Sequence, residues 1–318
     1  MLIEEELTRY REERDTLLSI GVFDGVHLGH RHLLGHLRDQ ALAAGLMPGV
    51  VTFVHHPRQV LYPESGVTYL MPIEERLELL RDVGMEVVAA VSFTQELSSL
   101  DAGQFLSLLQ RYLRLKGLVI GPDFALGRGR GGDAAHLSAL SQSMGLSLER
   151  VPQAAINGDV VSSTAIRTAL GKGDVDLVSR LLGRNFSLSG QVVGGEERGR
   201  ILGFPTANIS FPPNQALPAD GVYATSAIVG GRPHSSVTNI GIRPTFNTGQ
   251  RTVETFLLDF KGDLYGQVLT IKLVARLREE KRFESVSQLV AQMERDILLA
   301  RSLLTVEKEP GTEKIKAP

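Results

Sequence analysis

Cysteine and tryptophan are absent from this chain of 318 residues. Without cysteine the chain holds no disulfide, thiolate nucleophile, iron–sulfur cluster or cysteine-ligated zinc. No run approaches the roughly 20 apolar residues that a membrane-spanning helix needs, so we expect no membrane partner. The acidic, polar N-terminus MLIEEELTRYREERD is unlike a signal peptide. These absences favour a cytoplasmic enzyme.

Charge shows no excess of either sign, with 34 Lys and Arg against 36 Asp and Glu and a formal net charge of −2. A non-specific nucleic-acid coat protein is therefore disfavoured. Hydrophobic residues make up 42% and charged residues 22%, as in folded globular proteins. At about 150 residues per domain, the length predicts two domains. We expect a monomer or a weak homo-oligomer.

The first half of the chain alternates short apolar runs with helix-periodic segments. The apolar runs predict strands at 17–23, 49–54, 87–93, 117–121 and 146–151. Nearly continuous hydrophobic strands separated by helices indicate a Rossmann-like, doubly wound parallel sheet. Its ligand should lie at the carboxyl ends of the strands.

The second half, from about Gly183, has short strands with period-two alternation, split by Gly and Pro turns. This pattern predicts an antiparallel barrel or sandwich. An amphipathic helix is expected over Ser285–Leu304, with Val286, Leu289 and Met293 on the face that packs on the barrel. We place the domains at 1–182 and 183–304, followed by a flexible tail at 305–318.

The segment GVFDGVHLGH, residues 21 to 30, follows the first predicted strand. Gly25 and Gly29 permit a sharp turn into a helix, whose N-terminus favours an anion. His27 and His30 are three apart, so both imidazoles project from one side of that N-terminus. Such imidazoles can donate hydrogen bonds to a transferring phosphoryl centre. A lone histidine would more often be structural or a metal ligand, but the pair in this turn favours nucleotidyl transfer.

A second Gly-rich segment, GGEERGRILGFPTANI, spans 194–209, and the chain has no Walker A sequence. Its glycines can wrap backbone N–H groups around phosphates. Thr206 and Asn208 are two apart on an extended segment, so they face the same side. Their oxygens suit Mg²⁺, which takes few protein ligands besides nucleotide phosphates.

Glu254 stands in the predicted strand TVETFLLDF. For an isolated glutamate, an exposed strand face is favoured by roughly three to one, because carboxylates are rarely buried. The alternative is a functional carboxylate, and in that case we expect Glu254 to lie inside the barrel together with the magnesium site.

These motifs together resemble the HxGH nucleotidyltransferase superfamily. More narrowly, the chain resembles the prokaryotic bifunctional riboflavin kinases and FMN adenylyltransferases, also called FAD synthetases, from about Leu17 to Arg301. Further matching segments are VTFVHHPRQVL at 51–61, GPDFALGRGRGGD at 121–133, VSSTAIRTAL at 161–170, ADGVYAT at 219–225, NIGIRPTF at 239–246 and DLYGQ at 263–267. The resemblance implies an N-terminal nucleotidyltransferase domain that makes FAD from FMN and ATP. It implies a C-terminal β-barrel that phosphorylates riboflavin.

The resemblance also implies a role for each matching residue. For adenylyl transfer, the ATP-binding residues are Gly21, Phe23, Gly25, His27, His30, Ser163, Thr164 and Arg167, with the two histidines catalytic. The flavin-binding residues there are His56, Pro57, Asp123 and Phe124. In the kinase, ATP is bound by Gly199, Gly203, Pro205, Thr206 and Asn208. Thr206 and Asn208 also hold Mg²⁺, and Glu254 is the general base on the riboflavin 5′-hydroxyl.

The sequence departs from the family pattern at several positions. Val54 and His55 stand where the family has an acidic residue and a proline, and Ala125 and Leu126 where it has Arg and Phe. Ala165 replaces a common basic residue. The departures at 54, 55, 125 and 126 leave open a monofunctional kinase whose N-terminal domain is inactive.

Three features of the sequence also allow another interpretation. A barrel that binds flavin or RNA is possible, although 6% aromatic residues and the lack of basic excess count against RNA. Without the resemblance, Ser162–Thr164 would indicate only a helix cap. The GxGxxG formed by Gly127, Gly129 and Gly132 is weak as a dinucleotide motif, because it lies late in the domain. Arg243 and Arg278 receive no role.

Overall fold

The structure is a computed structural model that describes residues 3–128, 134–156, 158–195, 199, 202–242 and 251–305. The chain divides into two units, one ending at Ser162 and the other beginning at Ser163. The domain boundary expected after residue 182 stays a prediction. The tail from residue 306, together with Gly129, Gly132 and Arg243, lies outside the described residues.

The first unit is built on a parallel sheet with the strand order β3-β2-β1-β4-β5. The strands are β1 (Thr16–Gly21), β2 (Met47–Phe53), β3 (Val87–Val91), β4 (Leu115–Ile120) and β5 (Ser147–Arg150). The winding reverses between β1 and β4, which is where open α/β sheets bind ligands. A short hairpin follows, formed by β6 (Ala155–Ile156) and β7 (Asp159–Val160).

Helices cover both faces of this sheet, which confirms the doubly wound prediction. They are α1 (Ile3–Thr8), α2 (Leu28–Ala43), α3 (Pro57–Leu61), α4 (Ile73–Asp82), α5 (Gln95–Ser99), α6 (Ala102–Leu113) and α7 (Ala134–Ser143). Leu18 packs in the core that includes α1 and α6, whereas its neighbour Leu17 packs in the core that includes α2 and α4. Because both faces are buried, the strands are apolar at nearly every position.

The second unit is a closed antiparallel barrel with the order β10-β11-β12-β9-β8-β13. Its elements are α8 (Ser163–Lys172), α9 (Val175–Leu182), β8 (Ser187–Val193), β9 (Ala207–Ser210), β10 (Gly221–Val229), β11 (Arg232–Ile242), β12 (Arg251–Leu257), β13 (Val268–Arg278) and α10 (Val286–Leu304). The predicted barrel and final helix are confirmed. No helix within the described ranges is both long and apolar enough to cross a membrane.

The barrel interior holds a line of hydroxyl groups as well as apolar side chains. Oγ1 of Thr225 lies 2.7 Å from Oγ of Ser236 and 2.8 Å from Oγ1 of Thr238, and the latter lies 3.0 Å from Oγ1 of Thr255. All four residues are fully buried. The hydroxyls satisfy one another's hydrogen-bonding capacity, which makes their burial tolerable.

Helix α10 packs on the outside of the barrel and is anchored there by a buried ion pair. Arg278 of β13 donates from Nε and Nη2 to the Asp296 carboxylate at 2.8–3.1 Å, and the two side chains are only 14% and 6% exposed. Gln292 donates to the same carboxylate at 2.8 Å. The expected face is only partly right, because Val286 is 61% exposed while the charged Asp296 is buried.

Substitution of Gly49, in the middle of β2, would test how tightly the sheet is packed. A Cβ at Gly49 would lie 2.7 Å from Cβ of Val87 and 2.9 Å from its carbonyl oxygen. We therefore expect Gly49→Ala to destabilise the first unit by about 1–3 kcal/mol. The control Gly35→Ala, on α2 with nothing within 4 Å of the new Cβ, should stabilise it by about 0.5–1 kcal/mol. Thermal unfolding measures both, and equal melting temperatures would contradict the packing.

The Arg278–Asp296 pair tests how α10 is held. Asp296→Ala leaves a buried guanidinium without its partner, so we expect a loss of about 3–5 kcal/mol and faster amide exchange in α10, read by mass spectrometry. Glu294→Ala, two residues earlier and exposed, should leave exchange unchanged. The double variant Arg278→Met/Asp296→Leu should lose less than Asp296→Ala. If amide exchange in α10 is the same in Asp296→Ala as in Glu294→Ala, the Arg278–Asp296 pair does not anchor this helix.

Candidate active sites

The turn between β1 and α2 is strained and buried. Phe23 and Val26 have φ of +52° and +36°, and Gly25 has φ of +86°. Left-handed backbone at a non-glycine residue costs about 1–3 kcal/mol. Packing offsets this cost, because Phe23 is 3% exposed and Val26 is fully buried. Asp24 also fixes the turn by accepting the N–H of Leu70 at 3.0 and 3.1 Å.

The two histidines stack at the end of this turn. Their ring centroids are 3.6 Å apart with 15° between the planes. Nδ1 of His27 caps α2 by accepting the N–H of His30 at 3.2 Å. An Nδ1 that accepts is unprotonated, so the neutral His27 ring carries its proton on Nε2 and donates from there. Gly29 is required because a Cβ would lie 3.1 Å from the His27 Nδ1 and 3.2 Å from the carbonyl oxygen of Val161.

His30 is held in its neutral form. Burial, the neighbouring His27 and the Arg76 guanidinium, in that order, lower the pKa of His30 well below its ordinary value. The edge of its ring also meets Phe23, with centroids 5.2 Å apart. The His30 Nδ1 is buried and has no hydrogen-bond partner in the part of the chain that the structure describes.

Both histidines line a cavity of about 230 Å³ that we call the histidine pocket. It opens at the carboxyl ends of β1, β4 and β5, on both sides of the switch point. Its lining includes Gly21, Phe23, His27, Gly29, His30, Asp123, Phe124, Val151 and Val161. Gly25 lies in the turn itself and does not line the pocket.

A larger cavity of about 680 Å³ lies beside it, at the carboxyl ends of β1, β2 and β3, and we call it the aromatic pocket. The four flavin-binding residues predicted from the resemblance all line it: His56, Pro57, Asp123 and Phe124. Apolar side chains make up most of the remaining wall, and they include Phe53 and Phe93, whose ring centroids are 5.3 Å apart. The two pockets share Ile20, Gly21, Val22, Asp123 and Phe124.

Two of the departures from the family pattern lie in this wall, and two others lie just after β2. Ala125 and Leu126 both line the aromatic pocket. Val54 keeps its place in the sheet, donating its N–H to the Val91 carbonyl at 2.9 Å, and His55 is exposed. None of these side chains lines the histidine pocket.

Three predicted ATP residues lie in α8, which belongs to the second unit. Ser163 and Thr164 form its first turn, and Arg167 follows one turn later. Ala165, one of the departures, lies in the same turn. Their contribution to an ATP site stays a prediction.

In the second unit, strand register places Glu254 in a row of polar residues. Glu254 of β12 pairs with Asn208 of β9 on one side and with Asn239 of β11 on the other. Asn239 in turn pairs with Val222, and Val222 with Arg278. Residues paired in register share a face of the sheet. The Glu254 carboxylate is thus flanked by two amide side chains.

Glu254 lies on the outer face of the barrel, so the expectation that it points inside is wrong. The inward positions of β12 are Val253 and Thr255, which are 1% and 0% exposed. Since side chains alternate along a strand, Glu254 and Phe256 point outward. They are half-buried, because α10 covers this part of the barrel.

Two cavities meet beside this row. The glutamate cavity, about 390 Å³, lies between the outer barrel wall and α10 and is lined by Gly199, Thr206, Asn239, Glu254, Phe256, Arg278, Glu280, Leu289, Met293 and Asp296, among others. The loop cavity, about 550 Å³, is lined by Pro205, Thr206, Ala207 and the segment 260–265, among others. Thr206 lines both cavities. Gly203 lines neither and forms a turn with φ of +88°.

The Gly-rich segment packs directly against the predicted metal residues. A Cβ at Gly195 would lie 2.1 Å from Nδ2 of Asn208, and one at Gly199 would lie 3.3 Å from Oγ1 of Thr206. No group of three or more His, Asp or Glu that could hold a metal occurs within the described ranges. A hydroxyl and an amide beside a glycine cradle fit Mg²⁺ bound mainly through nucleotide phosphates.

Several residues of these sites escape a sequence-based search. Asn239 belongs to the matched segment NIGIRPTF, but only the pairing with β12 puts it beside Glu254. Glu280 accepts from Nδ2 of Asn239 at 3.4 Å, and Arg278 is tied up by Asp296. Arg76 lies in an ordinary amphipathic helix, and no motif identifies it.

Comparisons with known proteins agree for both units. A riboflavin kinase family model matches residues 182–304, and an FAD synthetase family model matches residues 9–165. The bifunctional riboflavin kinase/FMN adenylyltransferase of Escherichia coli K12 is 38% identical over 294 residues, covering 92% of this chain and 94% of that protein. The Bacillus subtilis protein of the same description is 35% identical, covering 90% and 91%.

A solved structure has the same fold across both units. The crystal structure titled macrolide-efflux protein from Streptococcus pneumoniae matches with a TM-score of 0.85 and 29% identity, covering 92% of this chain and 96% of that one. The curated relatives are matched over nearly their whole length, at identities well above chance. This chain therefore belongs to the bifunctional riboflavin kinase/FMN adenylyltransferase family.

Proposed function

We propose that this chain makes FAD from riboflavin in two ATP-dependent steps, with one step in each unit. The barrel unit is a riboflavin kinase, and the unit with the parallel sheet is an FMN adenylyltransferase. The monofunctional alternative is not favoured, because both family models match. The cytoplasmic location and the oligomeric state stay predictions from the sequence.

In the kinase step, riboflavin occupies the glutamate cavity and ATP the loop cavity. Thr206 carries this assignment, because it lines both cavities and so marks where acceptor and donor meet. The ring system of riboflavin would lie against the apolar side chains Phe256, Leu289 and Met293. Its 5′-hydroxyl oxygen bonds to the γ-phosphorus as the bond to the ADP oxygen breaks, and Glu254 takes the hydroxyl proton.

Mg²⁺ would be held by Thr206 and Asn208 beside the Gly-rich segment. It would neutralise charge on the ATP phosphates. On the chain itself, Asn208 and Asn239 pair in register with Glu254 and so flank its carboxylate on the outer face of the barrel.

In the adenylyltransferase step, FMN occupies the aromatic pocket and ATP the histidine pocket. A phosphate oxygen of FMN bonds to the α-phosphorus of ATP as pyrophosphate leaves. This nucleophile is already an anion, so the step needs no general base. His27, which donates from Nε2, and His30 stabilise the transition state at the α-phosphate. The N-terminus of α2 adds a favourable field for the negative charge there. The shared wall of the two pockets carries this assignment.

Two substitutions separate the steps. His30→Gln should stop at FMN, and Glu254→Gln should make little FMN yet convert supplied FMN to FAD. We expect each to lose about 10²- to 10⁴-fold in the affected rate. Chromatography of products from riboflavin, ATP and Mg²⁺ measures both.

Each substitution has a matched control nearby. His32→Gln lies on the same helix but outside the histidine pocket. Glu279→Gln changes an exposed glutamate that lines neither the glutamate cavity nor the loop cavity. Both controls should retain both activities within a few-fold. If Glu254→Gln keeps its kinase activity, the general base is misassigned. If His30→Gln forms FAD normally, the histidine site is misassigned.

The metal assignment predicts a changed magnesium requirement. Thr206→Val removes a hydroxyl but keeps the shape, so phosphorylation should need several-fold more Mg²⁺ for half-maximal rate at fixed ATP. Ser210→Ala removes an exposed hydroxyl at the end of β9, the strand that begins directly after Thr206, and should leave the requirement unchanged. FAD formation from supplied FMN by the same samples serves as the internal reference. An unchanged Mg²⁺ curve for Thr206→Val would contradict the assignment.

A further inference from the structure

Arg76 is the largest fully buried side chain of the described residues, at 1% exposure. It lies in α4 (Ile73–Asp82), which packs beneath the parallel sheet. Arginine is almost never fully buried unless its charge is paired. A residue so costly to bury calls for a role other than filling space.

The guanidinium bonds to the backbone at the end of two adjacent strands. Nη1 donates to the carbonyl of Val22 at 2.5 Å, and Nη2 reaches the carbonyl of Val54 at 3.4 Å. Val22 directly follows β1 and lines both pockets. Val54 directly follows β2 and precedes His56, which lines the aromatic pocket. One side chain therefore spans the backbone leading to both substrates.

The charge of Arg76 also reaches the strained turn. Asp24, which fixes the turn through Leu70, interacts electrostatically with the guanidinium. His30 feels the same positive charge, which helps to keep its pKa low. The Nε of Arg76 is buried and makes no hydrogen bond within the described ranges. The Arg76 guanidinium is thus buried beside the turn after β1 with one of its N–H donors unpaired.

We propose that Arg76 is a positioning residue for adenylyl transfer, whose guanidinium holds the ATP-facing turn after β1 and the flavin-facing segment after β2 at a fixed separation. This inference rests on the proposed assignment of the two pockets. A reacting pair must be aligned to within about 1 Å, and misplacement by that much costs roughly 10²-fold in rate.

The rival explanation is a purely structural cation. Apolar residues of similar volume often replace buried charges at no cost to stability. If Arg76 is only structural, replacing it changes at most the melting temperature. If it positions the two segments, replacing it lowers the rate of FAD formation by folded protein.

Arg76→Met and Arg76→Lys in the full chain separate charge from geometry. Methionine removes both the positive charge and the hydrogen-bond donors. Lysine keeps the charge but lacks the planar guanidinium that reaches two carbonyl groups. We expect kcat/KM for FAD formation from supplied FMN to fall by about 10- to 100-fold in Arg76→Met, with an intermediate loss in Arg76→Lys. Riboflavin phosphorylation by the same molecules should stay within twofold of wild type. Arg81→Met, exposed on the same helix, is the matched control and should keep both activities.

The imidazole of His30 gives a second readout, followed by NMR titration of the ligand-free protein. The groups acting on it are His27 in the same turn and Arg76 from α4, with Asp24 facing Arg76 and Asp123 on the pocket wall. Loss of a nearby positive charge eases protonation, so the His30 pKa should rise in Arg76→Met. It should stay low in Arg76→Lys and in Arg81→Met.

The outcomes are distinguishable. If Arg76→Met and Arg76→Lys both form FAD within twofold of wild type, the positioning role is overturned, whatever their melting temperatures. If Arg76→Met does not fold, Arg76→Lys decides: a loss of FAD formation with normal kinase activity supports the proposal. Failure of the pocket assignment itself would appear separately, as undiminished FAD formation by His30→Gln.

Discussion

The outward direction of the Glu254 side chain depends on the one register in which β12 pairs with β9 and β11. Opposite Asn208 and Asn239, the carboxylate points outward, under α10. A slip of one residue would send it into the barrel, among the fully buried hydroxyls of Thr238 and Thr255. The hydroxyl groups of that interior already hydrogen-bond to one another, so burying a charged carboxylate among them would be costly. Core packing and the placement of the carboxylate are thus the same constraint.

The first unit meets a comparable constraint at the edge of its sheet. The turn after β1 combines two left-handed residues, a buried carboxylate at Asp24 and a buried guanidinium at Arg76. Each is unfavourable alone. They are tolerated because Phe23 and Val26 are packed in the core and because the two charges face one another. The result is a frame that places the two stacked imidazoles in the wall of the histidine pocket.

The sequence predicted most of the architecture because hydrophobic periodicity reports burial directly. The continuous apolar run of β2 indicated a doubly covered sheet, and the buried pattern at all seven of its positions agrees. The pair His27 and His30 was found because its spacing and its glycines are local features. The tail after residue 305 was also expected from composition, but it lies outside the described residues.

Features that depend on pairing between distant segments could not be predicted in this way. The outward face of Glu254 follows from which alternate positions the barrel buries, and TVETFLLDF is compatible with either face. Asn239 and Asp296 became recognisable only through their partners Glu254 and Arg278. Arg76 looked like one more charge in a helix, because nothing local marks a side chain whose partners are carbonyls 54 and 22 residues away.

The two steps of the pathway also explain why the sites differ in charge. The hydroxyl of riboflavin carries a proton that must be removed, which suits the carboxylate of the proposed kinase site. FMN enters the second step as a phosphate anion, which suits the imidazoles and the buried cation of the proposed adenylyltransferase site. Because folding lowers the His30 pKa, the folded state binds fewer protons there than the unfolded chain. The neutral state thus favours folding above the ordinary histidine pKa of about 6.5, and this advantage is lost as the pH falls below it.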